Sequence, residues 1–185
     1  MAEIGIKGGG LLDKALRSLA EKVGKPATLR AGFLENARYP DGQSVAEVAA
    51  IQNFGAPSAG IPPRPFFTNA VARGSAEWAG KLAALLKLTD YDAEKALQMM
   101  GPVLAFDIQK SITETNAPPL SEITLQLRKM RQENPDLEVT GATVGDAAAR
   151  AKAGVSTAGI SVKPLVDSGT MFRYVDFEVT SNEGE

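Results

Sequence analysis

A small α+β domain is the architecture this sequence predicts, and three observations predict it. Two segments, Thr28–Leu34 and Tyr174–Thr180, alternate apolar and polar residues with the period of a half-buried strand. The chain between them repeats apolar residues at helical spacing in several places. Length and composition are those of an ordinary globular domain: 185 residues, 44% apolar and 23% charged, with a mean hydropathy of -0.09. The reading is therefore one domain over residues 1–185. A small, largely antiparallel sheet packs against helices starting near Ser44, Pro65 and Asp90, with a long insertion before the last strand.

Each element has its own local reason. After Gly8-Gly9-Gly10, the stripe Leu12, Leu16, Leu19 and Val23 predicts an amphipathic helix that Gly24 and Pro26 end. In the first strand Leu29, Ala31 and Phe33 share one face, and Arg30 and Gly32 the other. Asn36–Gly42 is rich in turn residues and reads as a loop. Ser44 with Glu47 forms a capping-box pattern opening a helix whose apolar face is Val45, Val48, Ala49 and Ile51, closed by Gly55 in a left-handed conformation. Gly55–Pro65 holds four prolines and two glycines and reads as a stiff, extended connector.

A longer helix follows, with Val71, Trp78, Leu82, Leu85 and Leu86 at helical spacing and an end near Leu88; Thr89 and Asp90 are candidate caps for the next. From Ala93 the stripe Leu97, Met100, Leu104, Ile108 and Ile112 continues across Gly101-Pro102, where the missing amide predicts a kink. Asn116–Pro119 breaks that helix, and Ser121 caps another carrying Ile123, Leu125, Leu127 and Met130 beside Arg128, Lys129 and Arg131. From 134 to 162 the pattern weakens. Four glycines and many small residues predict a long mobile insertion loop, relieved by a short helix, Val144–Ala153, with Asp146 as capping partner. Val175, Phe177 and Val179 then alternate with Asp176 and Glu178.

Composition excludes much chemistry. Without cysteine there is no disulfide, thiolate or zinc-thiolate site, and without histidine the Ser-His and Cys-His arrangements and most transition-metal sites disappear. Twenty basic against 22 acidic residues leave a net charge of -2 and a pI near 5.4, so generic nucleic-acid binding is disfavoured. No apolar run approaches a bilayer span, and Met1–Ile4 lacks a signal peptide's basic start, which reads as a chain made and kept in a cytoplasm.

Local motifs offer no catalytic group. Asp90, Asp92 and Glu94 have the chemistry for a cation, but acids in a first helical turn are favoured by the helix dipole alone. Lys7 precedes its glycines and so lacks phosphate-loop spacing. Arg128, Lys129 and Arg131 read as a solvated helix face, with contact to nucleic-acid phosphate as the alternative function. No cofactor and no metal is expected.

Four segments are more specific. Val48–Gly55 ends a helix in the pair Phe54-Gly55. Ile61–Phe67 contains Pro63-Arg64-Pro65-Phe66-Phe67, Pro118–Ser121 contains Pro119-Leu120, and Lys163–Gly169 reads Lys-Pro-Leu165-Val-Asp167-Ser-Gly169. The Pro-Arg-Pro stretch fixes the angle at which Phe66 and Phe67 leave it, and Asp167 is placed to cap the short turn through Met171 and Phe172. Occurring in this order, the segments resemble the neck and tail-completion (head-to-tail joining) family of long-tailed bacteriophages over about Phe33–Val179. The link of about thirty residues between the Ser121 helix and Lys163-Pro164-Leu165 is longer than in that pattern.

The resemblance implies a virion protein without enzymatic activity, working as a ring around the DNA channel at the neck or head-proximal tail end, with sixfold symmetry. It implies as partners copies of itself, a head-side connector or stopper protein, and a tail terminator or tail tube protein. DNA would pass through the lumen without sequence-specific binding. Phe54, Gly55, Pro63, Arg64, Pro65, Phe66, Phe67, Pro119, Leu120, Leu165, Asp167 and Gly169 are the implied interface or fold anchors.

Overall fold

The computed structural model describes residues 14, 16–21, 27–34 and 36–181. Residues 16–21 are helical, with Leu16 and Leu19 exposed, while Leu12, Val23 and the Gly8–Gly10 lead-in lie outside the described residues. The two alternating segments form the expected antiparallel pair. Strand β1 (Ala27–Phe33) meets β2 (Val175–Ser181) in a register that sets Leu29 opposite Val179 and Ala31 opposite Phe177. Arg30 faces Glu178 across the outer face, 3.3 Å apart.

Helix α1 (Val45–Phe54) begins where Ser44 accepts the Glu47 amide at 3.4 Å and ends at Gly55, whose φ of 78° suits glycine. The connector after it is not the uniformly extended segment that its prolines predict. Ala56 and Ile61 pair through two backbone hydrogen bonds around a single 3-10 turn, Pro57–Ala59, and only Pro62–Pro65 is open chain. Gly60, in a left-handed conformation, makes that hairpin-like reversal possible.

Helices α2 (Phe66–Leu88) and α3 (Ala93–Glu114) lie against each other, and α3 covers the sheet. The cap of α3 is Asp92, whose carboxylate accepts the Lys95 amide at 3.1 Å, and not Thr89 or Asp90. Thr89 instead closes α2 through its hydroxyl and amide. Asp90 and Tyr91 take positive φ angles, which lengthens the link by two residues. Helix α3 runs through Gly101-Pro102, with Pro102 on the exposed side.

Gly101 itself is buried where a Cβ would enter the ring of Phe177. On an exposed helix face glycine to alanine gains about 1 kcal/mol of helix propensity. Here Gly101→Ala is expected to lose about 1–3 kcal/mol, since helix and strand must separate to admit the methyl group. Thermal unfolding of the variant settles the sign.

The core gathers Phe66 and Ala70 of α2, Ala105, Ile108 and Ile112 of α3, Val45 and Ala49 of α1, and Leu165, Met171 and Val175 from the last part of the chain. Phe66, fully buried, is the largest of them. Its ring stands edge-on to Phe33 (centroids 6.1 Å apart) and to half-buried Phe67 (6.5 Å), an arrangement aromatic quadrupoles favour. Ser111 bonds the Phe66 carbonyl at 2.7 Å, so the helix N-terminus is tied to α3 as well.

Helices α4 (Glu122–Glu133) and α5 (Gly141–Lys152) form a second pair. Ser121 caps α4 as its sequence predicts, accepting the Thr124 amide. The cap of α5 lies earlier than expected: Thr140 and Thr143 make a reciprocal capping box, and Asp146 plays no part in it. Ala147 is fully buried, and Arg150 grips Glu133 with both terminal nitrogens at 3.0–3.1 Å, which holds that carboxyl below its ordinary pKa. Gln126 donates to the Val155 carbonyl and Lys129 to that of Ser156, so the chain leaving α5 is tied back onto α4.

Candidate functional site

The four motif segments meet around two guanidinium groups. The first belongs to Arg64, 5% exposed. Its backbone amide donates to the Gln52 carbonyl at 2.7 Å, and Nη1 donates to Gln52 Oε1 at 3.0 Å. Nε reaches the carbonyl of Pro118 at 3.0 Å and Nη2 that of Pro119 at 3.3 Å. A buried cation requires such acceptors, and these carbonyls supply them where no carboxylate is bonded among the described residues. Burial, then the nearby Arg128 charge, lowers the Arg64 pKa from its ordinary value.

Asn53 completes this first junction. Pro65 precedes α2 without a capping side chain, so the first amides of the helix need an acceptor from elsewhere. Buried Asn53 supplies it: Oδ1 accepts from Phe67 at 2.9 Å and Thr68 at 3.2 Å, while Nδ2 donates to the Thr68 hydroxyl. The end of α1 thus caps the start of α2. Gly55 allows the turn between them, because a Cβ there would stand 2.8 Å from the Pro63 nitrogen.

The second guanidinium is that of Arg128, whose side chain is 8% exposed. It donates to the carbonyls of Ser161 (2.7 Å), Lys163 (2.8 Å), Pro164 (3.2 Å) and Val166 (3.3 Å), and Nε lies 3.4 Å from the Asp167 carboxylate. Burial, the largest influence, lowers its pKa against the pull of Asp167. The basic run expected as a solvated face therefore has one member that organises the Lys163–Asp167 turn; Arg131, 48% exposed, stands at 3.8 Å from the same carboxylate.

Asp167 was expected to cap the turn through Met171. It pairs instead with Arg128, and Ser168 takes the capping place, its hydroxyl accepting the Thr170 amide at 3.3 Å. Gly169 is left-handed with φ 75°, and α6 (Thr170–Arg173) follows it. Leu165 is buried in the core beneath this turn.

The remaining motif residues divide by exposure. Phe66 is buried, Leu120 is half-buried, and Pro63, Pro65 and Pro119 are exposed. Phe54 stands 73% exposed at the end of α1. Sequence reasoning missed Gln52, Asn53 and the inward role of Arg128; the one local signal was the uncapped start at Pro65.

A cleft of about 930 Å³ opens beside the second junction, between α1, α4 and the turn after α5. Val48 and Gln52 of α1, Arg131 and Gln132 of α4, Leu137, Ile160 and Met171 are among its walls. Tyr39, half-buried, also lines it. Desolvation first, then Asp167 and Asp41, raises the phenol pKa from its ordinary value. No group of three or more acidic, histidine or cysteine side chains that could hold a metal occurs among the described residues, and no helix there is long and apolar enough to cross a membrane. Comparisons with family models, curated proteins and solved structures return no match for this chain.

Proposed function

We propose that this chain is a structural virion protein of a tailed phage, one that completes the neck or tail and joins head to tail as a ring around the DNA channel. The observation that carries the reading is the bonding of the motif segments to one another. Arg64 joins the aromatic-Gly helix end to Pro118-Pro119, and Arg128, on the helix that follows, holds the Lys163–Gly169 run. Three of the four segments that resemble one family bond one another directly, and the fourth is held by the helix that follows the third; this proximity is the support for the reading.

In this role the protein makes and breaks no bond; it works by interlocking surfaces. Its partners are copies of itself, in a ring suggested to be sixfold, with a head-side connector or stopper on one side and a tail terminator or tube on the other. A channel that lets DNA slide carries a neutral or acidic lining. Electron microscopy of assembled particles with this protein labelled is expected to place it at the neck, and its absence there would overturn the reading.

The nucleic-acid alternative rested on Arg128, Lys129 and Arg131. Arg128 spends its donors on carbonyls and Lys129 bonds Ser156, which leaves Arg131 as the member with most capacity for phosphate. Steeply salt-dependent DNA binding by the purified chain would favour that alternative.

A further inference from the structure

We infer that the open edge of β2 takes a third strand, the segment Ala2–Lys7 of a second copy of this chain. The inference goes beyond the neck reading and stands without it. Among the described residues the sheet consists of β1 and β2, so each strand has one edge without a strand partner. Such an edge is a template for a further strand.

The two edges differ in what lies beside them. Helix α2 flanks β1: Phe33 meets Phe66 edge-on, and a Cβ on Gly32 would stand 3.5 Å from the Phe67 ring. Beside β2 lies an outward stripe of α3. Round that helix from Gly101, which meets Phe177, Asp107 and Ser111 lie one way and bond α2. Gln109 lies the other way, about 80° round, and donates to the Phe172 carbonyl just before β2. Pro102 and Phe106 follow at about 100° and 140°. With Met99 and half-buried Val103 they form one apolar stripe at three- and four-residue spacing, of which Met99, Pro102 and Phe106 are exposed. A third strand on β2 would carry its inward side chains beneath this stripe. Phe177 and Val179, which face the same way in β2, are only half-buried without it.

The segment Ala2–Lys7 has the matching pattern. Ala2, Ile4 and Ile6 alternate with Glu3, Gly5 and Lys7, and Gly8-Gly9-Gly10 ends the alternation. Laid antiparallel to β2, Ile6 falls opposite Phe177 and Ile4 opposite Val179, while Lys7 faces Asp176 and Glu3 faces Thr180. The parallel arrangement would set Glu3 beside Asp176, a pairing of like charges. Within one chain, the helix joining this segment to β1 would have to cross the sheet. Its apolar face is covered by α3, its outer face carries the Arg30–Glu178 pair, and residues 16–21 are all exposed. The strand is therefore donated from copy to copy.

The chain has no cysteine, so introduced thiols report only on the chosen contact. Full-length Glu3→Cys and Thr180→Cys proteins are mixed under mild oxidation. A disulfide-linked dimer of the two is expected, with far less when Asp176→Cys replaces Thr180→Cys. Adding Ile4→Asp and Ile6→Asp to the first chain, or Phe106→Asp to the second, should lower the yield at least about tenfold, because a carboxylate takes the place of a buried apolar contact. Phe106 is exposed in the single chain, so its substitution is expected to leave thermal unfolding unmoved. Sedimentation velocity of a chain lacking residues 2–7 should show monomer where the full chain associates.

Equal yields with Thr180→Cys and Asp176→Cys would mean chance collision and overturn the inference. A disulfide closing within single molecules of the Glu3→Cys, Thr180→Cys double variant, at a rate independent of concentration, would put the strand on its own sheet and overturn donation. So would association that survives loss of residues 2–7, or a full chain that stays monomeric and uncross-linked at millimolar concentration. None of these results touches the neck reading, which particle microscopy tests by itself.

Discussion

Phe66→Ala is expected to destabilise the domain by about 3–5 kcal/mol, the cost of emptying a fully buried aromatic site. Phe66 is 0% exposed and sits where β1, α2 and α3 converge, so removing its ring opens a space bordered by Phe33, Phe67 and the Ser111 side of α3. Those neighbours belong to three different elements and cannot all move inward together. A urea titration should show an earlier midpoint with an unchanged slope. A near-neutral result would mean the site collapses, and the convergence described here would be wrong.

The second large effect is expected at Arg128. Arg128→Met keeps the aliphatic stem but leaves carbonyls of the 161–166 turn without their shared donor, a loss of about 2–4 kcal/mol. Arg128→Lys should recover little of it, because a single ammonium cannot spread over carbonyls on two sides as a planar fork does. Hydrogen exchange adds a local signature: amides around Leu165 and Val166 should lose protection in Arg128→Met before those of β1. Wild-type stability in both variants would return Arg128 to the solvated face its sequence suggests.

These two residues also mark what could be read from the sequence. Strands and helix starts were legible because their determinants are local: alternation at Leu29, Ala31 and Phe33, and hydroxyls at Ser44 and Ser121 placed three residues before the amide they bond. The start of α3 was read two residues early because Asp90 and Tyr91, neither a glycine, adopt positive φ angles that composition does not announce. At α5 the pairing of two threonines overrode the more familiar acidic partner.

Longer-range partners were out of reach. Helical periodicity places Arg128 on a face of α4, but it does not say that a turn 33–38 residues later will return to that face. The same holds for Asn53, whose partners lie 14 and 15 residues ahead across a connector that folds back on itself. The candidate site is built almost wholly from such returns, whereas the sheet and its covering helix are built from patterns.

The two guanidinium junctions hold main-chain and amide oxygens, with Asp167 as the one carboxylate among their partners. Carbonyl oxygens do not protonate across the aqueous range, and arginine does not lose its proton there. Contact hydrogen bonds from buried cations are also shielded from the ion atmosphere that weakens surface pairs. The clamp between the motif segments is accordingly indifferent to acidity and salt over a wide span, a property that would suit the proposed place beside a DNA channel and its counterions.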